Sequence, residues 1–257
     1  MSCISIRSVA RAGRAIAAAG LAAATITASG AAWAASVTPT FDEFGTLPGA
    51  TFGGTGIPND AVAITTITDG GNTITLGLTA HQRYSNPALS NNGAGVFTAG
   101  AGANFGDPDS PTGPSAYLGA TWNFAYYVDI AGGGTLNDYV VDLLYDFDPG
   151  TGTDESAHGV VTLSSPGSPA QDSQNLLFGF LTFNVPGFIA PPAGIFDPFA
   201  GGEYSFALRV SSLQSTAPSA LLGQSAIVVN VVPEPATLAL LGGGLIGLFA
   251  LRRRRAA

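Results

Sequence analysis

"TWNFAYYVDI" (121–130), "AGGGTLN" (131–137) and "DYVVDLLYDFD" (138–148) follow one another without a break. In the first segment Trp122, Phe124, Tyr126, Val128 and Ile130 fall on alternate positions, with Asn123, Ala125, Tyr127 and Asp129 between them. In the third, Tyr139, Val141, Leu143, Tyr145 and Phe147 alternate with a set that includes Asp142, Asp146 and Asp148. A period of two is the signature of a strand with one buried face, because successive side chains in a strand point to opposite sides. The pattern predicts two neighbouring strands that share an aromatic core face, joined by a Gly-rich turn.

The same alternation recurs elsewhere, and no stretch between the two ends sustains a 3.6-residue period. "AVAITTITDGGNTITLGLT" (61–79) reads as two Thr/Ile-rich strands about Asp69-Gly70-Gly71-Asn72, a hairpin signal. Further strands are expected at Gly159–Ser164, Leu176–Asn184, Glu203–Ser211 and Ser225–Val232. With the hairpin this makes about eight strands, the number of a sandwich or jelly roll. The stretches "NNGAGVFTAGAGANFGDPDSPTGPS" (91–115) and "SSPGSPAQDS" (164–173), rich in small residues, read as long loops. The expected fold is therefore a single all-β, sandwich or jelly-roll-like body over residues 35–231, without internal repeats.

Charge separates the ends from this body. Lysine is absent, and of the nine arginines only Arg83 and Arg209 lie between Ala35 and Val232, against sixteen acids, a net charge of −14. Such a body repels phosphate backbones, which argues against nucleic acid as a partner. The single cysteine, Cys3, lies near the start, so the body has neither a disulfide nor a thiolate nucleophile.

Residues 1–34 carry Arg7, Arg11 and Arg14, then an uncharged Ala-rich stretch, then Ala32-Trp33-Ala34. This is the order of a secretory signal peptide, with the cut expected between Ala34 and Ala35 by a signal peptidase that accepts small residues. At the other end, Ala236–Leu251 form an apolar run followed by Arg252, Arg253, Arg254 and Arg255. As a helix the run would reach about 24 Å, long enough to cross a locally thinned bilayer as a single transmembrane span. The arginines would stay cytoplasmic and act as the stop, leaving the body outside the inner membrane.

Val232-Pro233-Glu234-Pro235, the Leu/Gly-rich run and the Arg cluster resemble the PEP-CTERM protein-sorting signal, over 232–257. The resemblance implies a Gram-negative, exopolysaccharide-producing bacterium. It also implies a membrane-embedded exosortase that recognises the triplet and passes the body to the cell surface or biofilm matrix. The two prolines hold the triplet extended, as a processing enzyme requires. Similar C-terminal segments are also labelled as ice-binding, but the threonines of residues 61–79 form one patch rather than a repeated array. The phrases "WNFAYYVD", "YDFDPGTGTDESAHG" and "FDPFAGGEYSFAL" resemble cargo found ahead of this signal, a likeness that brings no activity.

The densest polar cluster is Asp146, Asp148, Asp154 and Glu155. Oxygen-rich, Gly-spaced loops of this kind suit calcium, the one cofactor the pattern raises. An EF-hand starting at Asp146 would need Gly and Glu where Thr151 and Ala157 stand, so the alternative is a solvated strand-to-loop turn. His81 and His158 are expected in exposed loops, too few for a three-ligand zinc site. No serine-hydrolase or phosphate-loop motif occurs, and no pair of acids stands out as catalytic. The expectation is a non-enzymatic structural or adhesive surface protein. The alternatives are a carbohydrate-binding module, marked by an exposed row of Tyr or Trp, and a glycoside hydrolase, marked by two acids facing across a cleft.

Overall fold

The computed structural model describes residues 35–84, 88–105, 118–164, 167–213 and 220–233. The expected signal peptide, including Ala32 and Ala34, and the expected span and Arg252–Arg255 lie outside them, as do Glu234 and Pro235. Among the described residues no helix is long and apolar enough to cross a membrane.

The described chain is all-β. β1 (Glu43–Gly45), β2 (Val62–Asp69), β3 (Asn72–Gln82), β8 (Trp122–Ala131) and β11 (Ala170–Gln174) form one antiparallel sheet in the order β1-β2-β3-β8-β11. A second sheet runs β12 (Ile189–Ala190), β10 (Gly159–Leu163), β9 (Tyr139–Tyr145), β13 (Gly202–Ser212), β14 (Leu221–Val232), β5 (Val96–Gly100) and β4 (Ser90–Asn91). Its pairings are antiparallel except β14 with β5, which is parallel. β6 (Ala103–Phe105) and β7 (Leu118–Ala120) make a small third ribbon.

The expected hairpin forms as read. Asp69 opposes Asn72, and Gly70 and Gly71 take φ of 55° and 89°, the left-handed conformation that a two-residue hairpin turn needs.

The two aromatic strands differ from expectation in one respect. β8 and β9 do share a core, but β8 pairs with β3 and β11 while β9 pairs with β10 and β13, so they lie in opposite sheets. The link between them is too long and too glycine-rich for a tight hairpin. Gly132 and Gly133 have φ of 115° and 101°, and Thr135 opens a short 3₁₀ turn at Leu136–Asp138 closed by the Asp138 carboxylate. The chain therefore arches from sheet to sheet.

Between the sheets lies one large apolar cluster. Phe124 of β8 stacks on Phe206 of β13 with ring centroids 4.3 Å apart, and Trp122 meets Phe206 edge-on at 6.0 Å. Tyr145, Leu143, Ile227 and Val229 of the second sheet pack in the same cluster as Ile74, Leu76 and Leu78 of the first. The far face of β8 is also covered: Ala125 and Tyr127 pack with Leu47, Ala50, Phe52, Val62 and Ile64. A strand buried on both sides explains why its second face carries Ala125 and Tyr127 rather than a run of charges.

Two further expectations are corrected. Leu176–Asn184, read as a strand from its apolar content, contains a 3₁₀ turn at Gly179–Thr182 instead, and the edge of the first sheet is the preceding Ala170–Gln174. Val96–Gly100, read as loop, is β5, whose pairing with β14 supplies the ladder that its small side chains do not.

Candidate functional site

Two regions carry the residues singled out by the sequence: the end of β14, where the sorting triplet begins, and the acidic loop after β9. They lie at the same end of the body. Val231 pairs with Gly202 at the start of β13, Glu203 donates its amide to Pro149 O at 3.1 Å, and its carboxylate accepts the Gly152 amide at 2.9 Å.

The junction has no linker. Val232 is still paired with Gly100 of β5, and its carbonyl accepts the Ala101 amide at 2.9 Å. Pro233 follows at once, and its ring packs on Gly201 so closely that a Cβ there would come within 2.7 Å of Pro233 Cδ. Pro233 and Phe199, with Ala101, Gly102, Ala103 and Thr121, line a cavity of about 390 Å³. The ladder ends here for a chemical reason, since proline has no amide hydrogen to give.

In the acidic loop each carboxylate is engaged locally. Asp146 is only 1% exposed, and its Oδ1 accepts the Asp148 amide at 2.8 Å. Asp148 in turn accepts the Gly150 amide at 2.9 Å. Asp154 accepts both the amide and the hydroxyl of Ser156, at 2.9 and 2.7 Å, and so caps the 3₁₀ turn at Glu155–Ala157. Those hydrogen bonds hold the Asp154 carboxyl below its usual range. Glu155 is ion-paired with Arg209, which lowers its pKa through the same hydrogen bond. Among the described residues no three acids or histidines are grouped as a metal site requires.

The N-terminal residues of the body close over this loop. Ala35 O accepts the Glu155 amide at 3.2 Å, Ser36 bridges Asp154, and the Ser36 hydroxyl donates to Gly152 O at 2.8 Å. Val37 then packs with Leu144, Ala207 and Ala226 on the outer face of the second sheet.

The histidines are buried rather than exposed, which corrects the sequence expectation: His81 is 2% and His158 7% accessible. His158 Nδ1 lies 3.0 Å from Asp154 O, so it carries the hydrogen, and Nε2 faces the Ser205 hydroxyl at 2.8 Å. His81 repeats the arrangement, with Nδ1 against Gln82 O at 3.0 Å and Nε2 against the Ser173 hydroxyl at 2.8 Å. Burial lowers the His81 pKa and thereby favours the neutral ring. Around Ser173 the network continues through Asn123 to Asn175, whose side chain satisfies Ala120, Trp122 and Leu177 backbone groups.

Although each pair joins a serine to a histidine, the second ring nitrogen faces a backbone carbonyl rather than a carboxylate. Ser205 is 2% exposed and out of reach of a substrate. The sequence could not have revealed these pairs, because the partners are 47 and 92 residues apart.

Buried aromatic residues answer another expectation. Trp122, Tyr127, Tyr139, Tyr145 and Tyr204 are all core residues, and among the described residues the exposed aromatic rings are Phe180, Phe183, Phe188 and Phe199. The row of exposed Tyr or Trp that would mark a carbohydrate-binding face is not seen among the described residues.

Comparison finds no match to the chain among curated proteins or solved structures. Residues 231–255 match the family model of the PEP-CTERM protein-sorting motif, a segment that begins in the last two residues of β14. The chain therefore carries a PEP-CTERM protein-sorting motif, which implies export, anchoring at a membrane and then surface localisation, with an exosortase as the processing partner.

Proposed function

We propose that the β body is the cargo of this sorting signal and serves as a structural or adhesive component of the cell surface or exopolysaccharide matrix, without catalysis. The observation that carries the reading is the direct passage of β14 into the triplet. An interior strand of the second sheet, flanked by β13 and β5, thus leads straight into the segment by which the body is sorted, with no intervening linker before Pro233. On this reading residues 1–34 are removed after Ala34, the run 236–251 spans the inner membrane, and the exosortase reads Pro233-Glu234-Pro235. A body with two arginines against sixteen acids stays soluble among like-charged surfaces and resists non-specific collapse.

The test is Glu234→Ala with fractionation of membrane, surface and matrix. The variant should be exported yet accumulate at the inner membrane, and deletion of the gene should weaken matrix cohesion while leaving polysaccharide synthesis unchanged. Matrix delivery of Glu234→Ala at the parental level would reject the sorting role of the triplet. Intact cohesion after deletion would reject the structural role.

A further inference from the structure

Both ends of the body leave from one end of the two-sheet stack. The Ser36 hydroxyl is bonded to Gly152 O, the Gly152 amide to the Glu203 carboxylate, and Glu203 opposes Asn230, three residues before Pro233. The segment leading back toward residues 1–34 and the segment leading on toward 236–251 thus start on the same side. From Pro233 to Ala236 the chain spans three Cα steps, at most about 11 Å when fully extended. The headgroup layer outside the hydrocarbon is itself about 5 to 7 Å thick on each side. If Ala236 begins the span, Pro233 can stand at most about 4 to 6 Å beyond that layer, so this end of the body is held against it.

What surrounds Pro233 suits such a position. Phe199, 68% exposed, lines the same cavity as Pro233, together with Ala101, Gly102, Ala103 and Thr121, none of them charged. An exposed phenylalanine is unfavourable in water and favourable at the boundary between headgroups and acyl chains. Asp197 accepts the Phe199 amide at 2.9 Å and fixes the turn that presents the ring. Asp148, Asp197 and Glu203 at this end would be repelled by anionic lipid, so the matching surface is zwitterionic.

We infer that, before exosortase processing, this end of the body rests on the lipid headgroups of the membrane, with Phe199 seated in the interface beside Pro233. The inference rests on the proposed span at 236–251. It adds a defined membrane-facing surface and orientation for the body, with the β2–β3 turn pointing away. The opposite end is well marked. Thr121, at the start of β8, donates to Gly102 O, while Ala131 at its far end opposes Thr73, which opposes Thr68. Ten residues of strand separate the two levels, on the order of 30 Å.

The experiment uses the full chain with Cys3→Ser, reconstituted in phosphatidylcholine vesicles. A fluorophore is placed through Phe199→Cys or, as the distal control, through Thr68→Cys; both positions are exposed. A nitroxide lipid labelled near the headgroup should quench the fluorophore at Phe199→Cys several-fold more than the one at Thr68→Cys, in protein that resists carbonate extraction. Equal quenching at the two positions in carbonate-resistant protein would overturn the seating while leaving the span intact. Extraction of the protein by carbonate would overturn the span and the seating with it.

Discussion

The Ser205 hydroxyl lies 2.8 Å from His158 Nε2 in the interior of the second sheet. On its other side, at 3.4 Å, is the Asp146 carboxylate, itself 4.0 Å from the same histidine nitrogen. One serine thus sits between a buried acid and a buried imidazole. Burial raises the Asp146 pKa above its usual range, against the hydrogen bond from the Asp148 amide.

A group whose pKa is raised by folding contributes its full stability below its unfolded pKa and loses it as the pH climbs through the folded value. The Asp146→Asn variant, which keeps the shape and discards the titration, should therefore gain in melting temperature relative to the parent as the pH is raised from about 4 to about 7. Thermal denaturation of the mature protein at a series of pH values measures this. A difference that does not change with pH would show that Asp146 titrates as an ordinary acid.

Glu155 behaves in the opposite sense. Arg209 lowers its pKa, so the pair stabilises the fold above the usual glutamate range and ceases to do so as the pH falls through the folded value. Glu155 is partly exposed, and Arg209→Gln should cost only about 0.2 to 1 kcal/mol at neutral pH. That cost should shrink in high salt and vanish in acid. Denaturant titration of parent and variant reads it directly.

The calcium expectation for Asp146, Asp148, Asp154 and Glu155 has a sharp test. Binding would require Glu155 to leave Arg209 and the four carboxylates to be drawn together, since among the described residues they are not grouped as a metal site, while Asp148 and Asp154 hold the Gly150 and Ser156 amides through one oxygen each. With those contacts in place, millimolar calcium is expected to leave the melting temperature of the mature protein unchanged. A rise that disappears when Asp146→Asn and Asp148→Asn are combined would instead assign a metal to this loop.

Across the core, Phe206 stacks on Phe124 of the opposing sheet and meets Trp122 edge-on. Phe206→Ala should destabilise the protein by about 3 to 5 kcal/mol, the cost of a large cavity between sheets that cannot collapse freely. Phe199→Ala, at an exposed ring, should change stability by less than about 0.5 kcal/mol. Comparing the two by denaturant unfolding separates core from surface.

Local chemistry made the β2–β3 hairpin and the inward faces of β8 and β9 legible in the sequence. A period of two states which side chains share a face, but it does not state which strand lies alongside. The placement of β8 and β9 in opposite sheets depends on the arch through Gly132, Gly133 and the Thr135–Asp138 turn, whose length is equally compatible with a loose hairpin. β5 was hidden by its composition, since Gly95, Ala99 and Gly100 flank so little apolar bulk that only the partner strand reveals it. Residues 176–184 show the converse. An apolar run suggested a strand, yet Phe180 and Phe183 face outward from a 3₁₀ turn. Of the candidate sites, the sorting motif was legible because its signal is contiguous. The partners of His81 and His158 were not, because they meet only in the folded chain.

The position of β14 has a mechanical consequence. Tension applied through Pro233 enters a strand flanked by β13 along Gly202–Ser211 and by β5 along Val96–Gly100. In the antiparallel ladder with β13 the hydrogen bonds run perpendicular to such a pull, and in the parallel ladder with β5 they are slanted across it. Both ladders are thus sheared as a set instead of being unzipped one bond at a time. An interior strand loaded in this way is held by two ladders, where an edge strand is held by one. A body held through this end takes the load along two ladders at once, and its own residues carry no disulfide to share it.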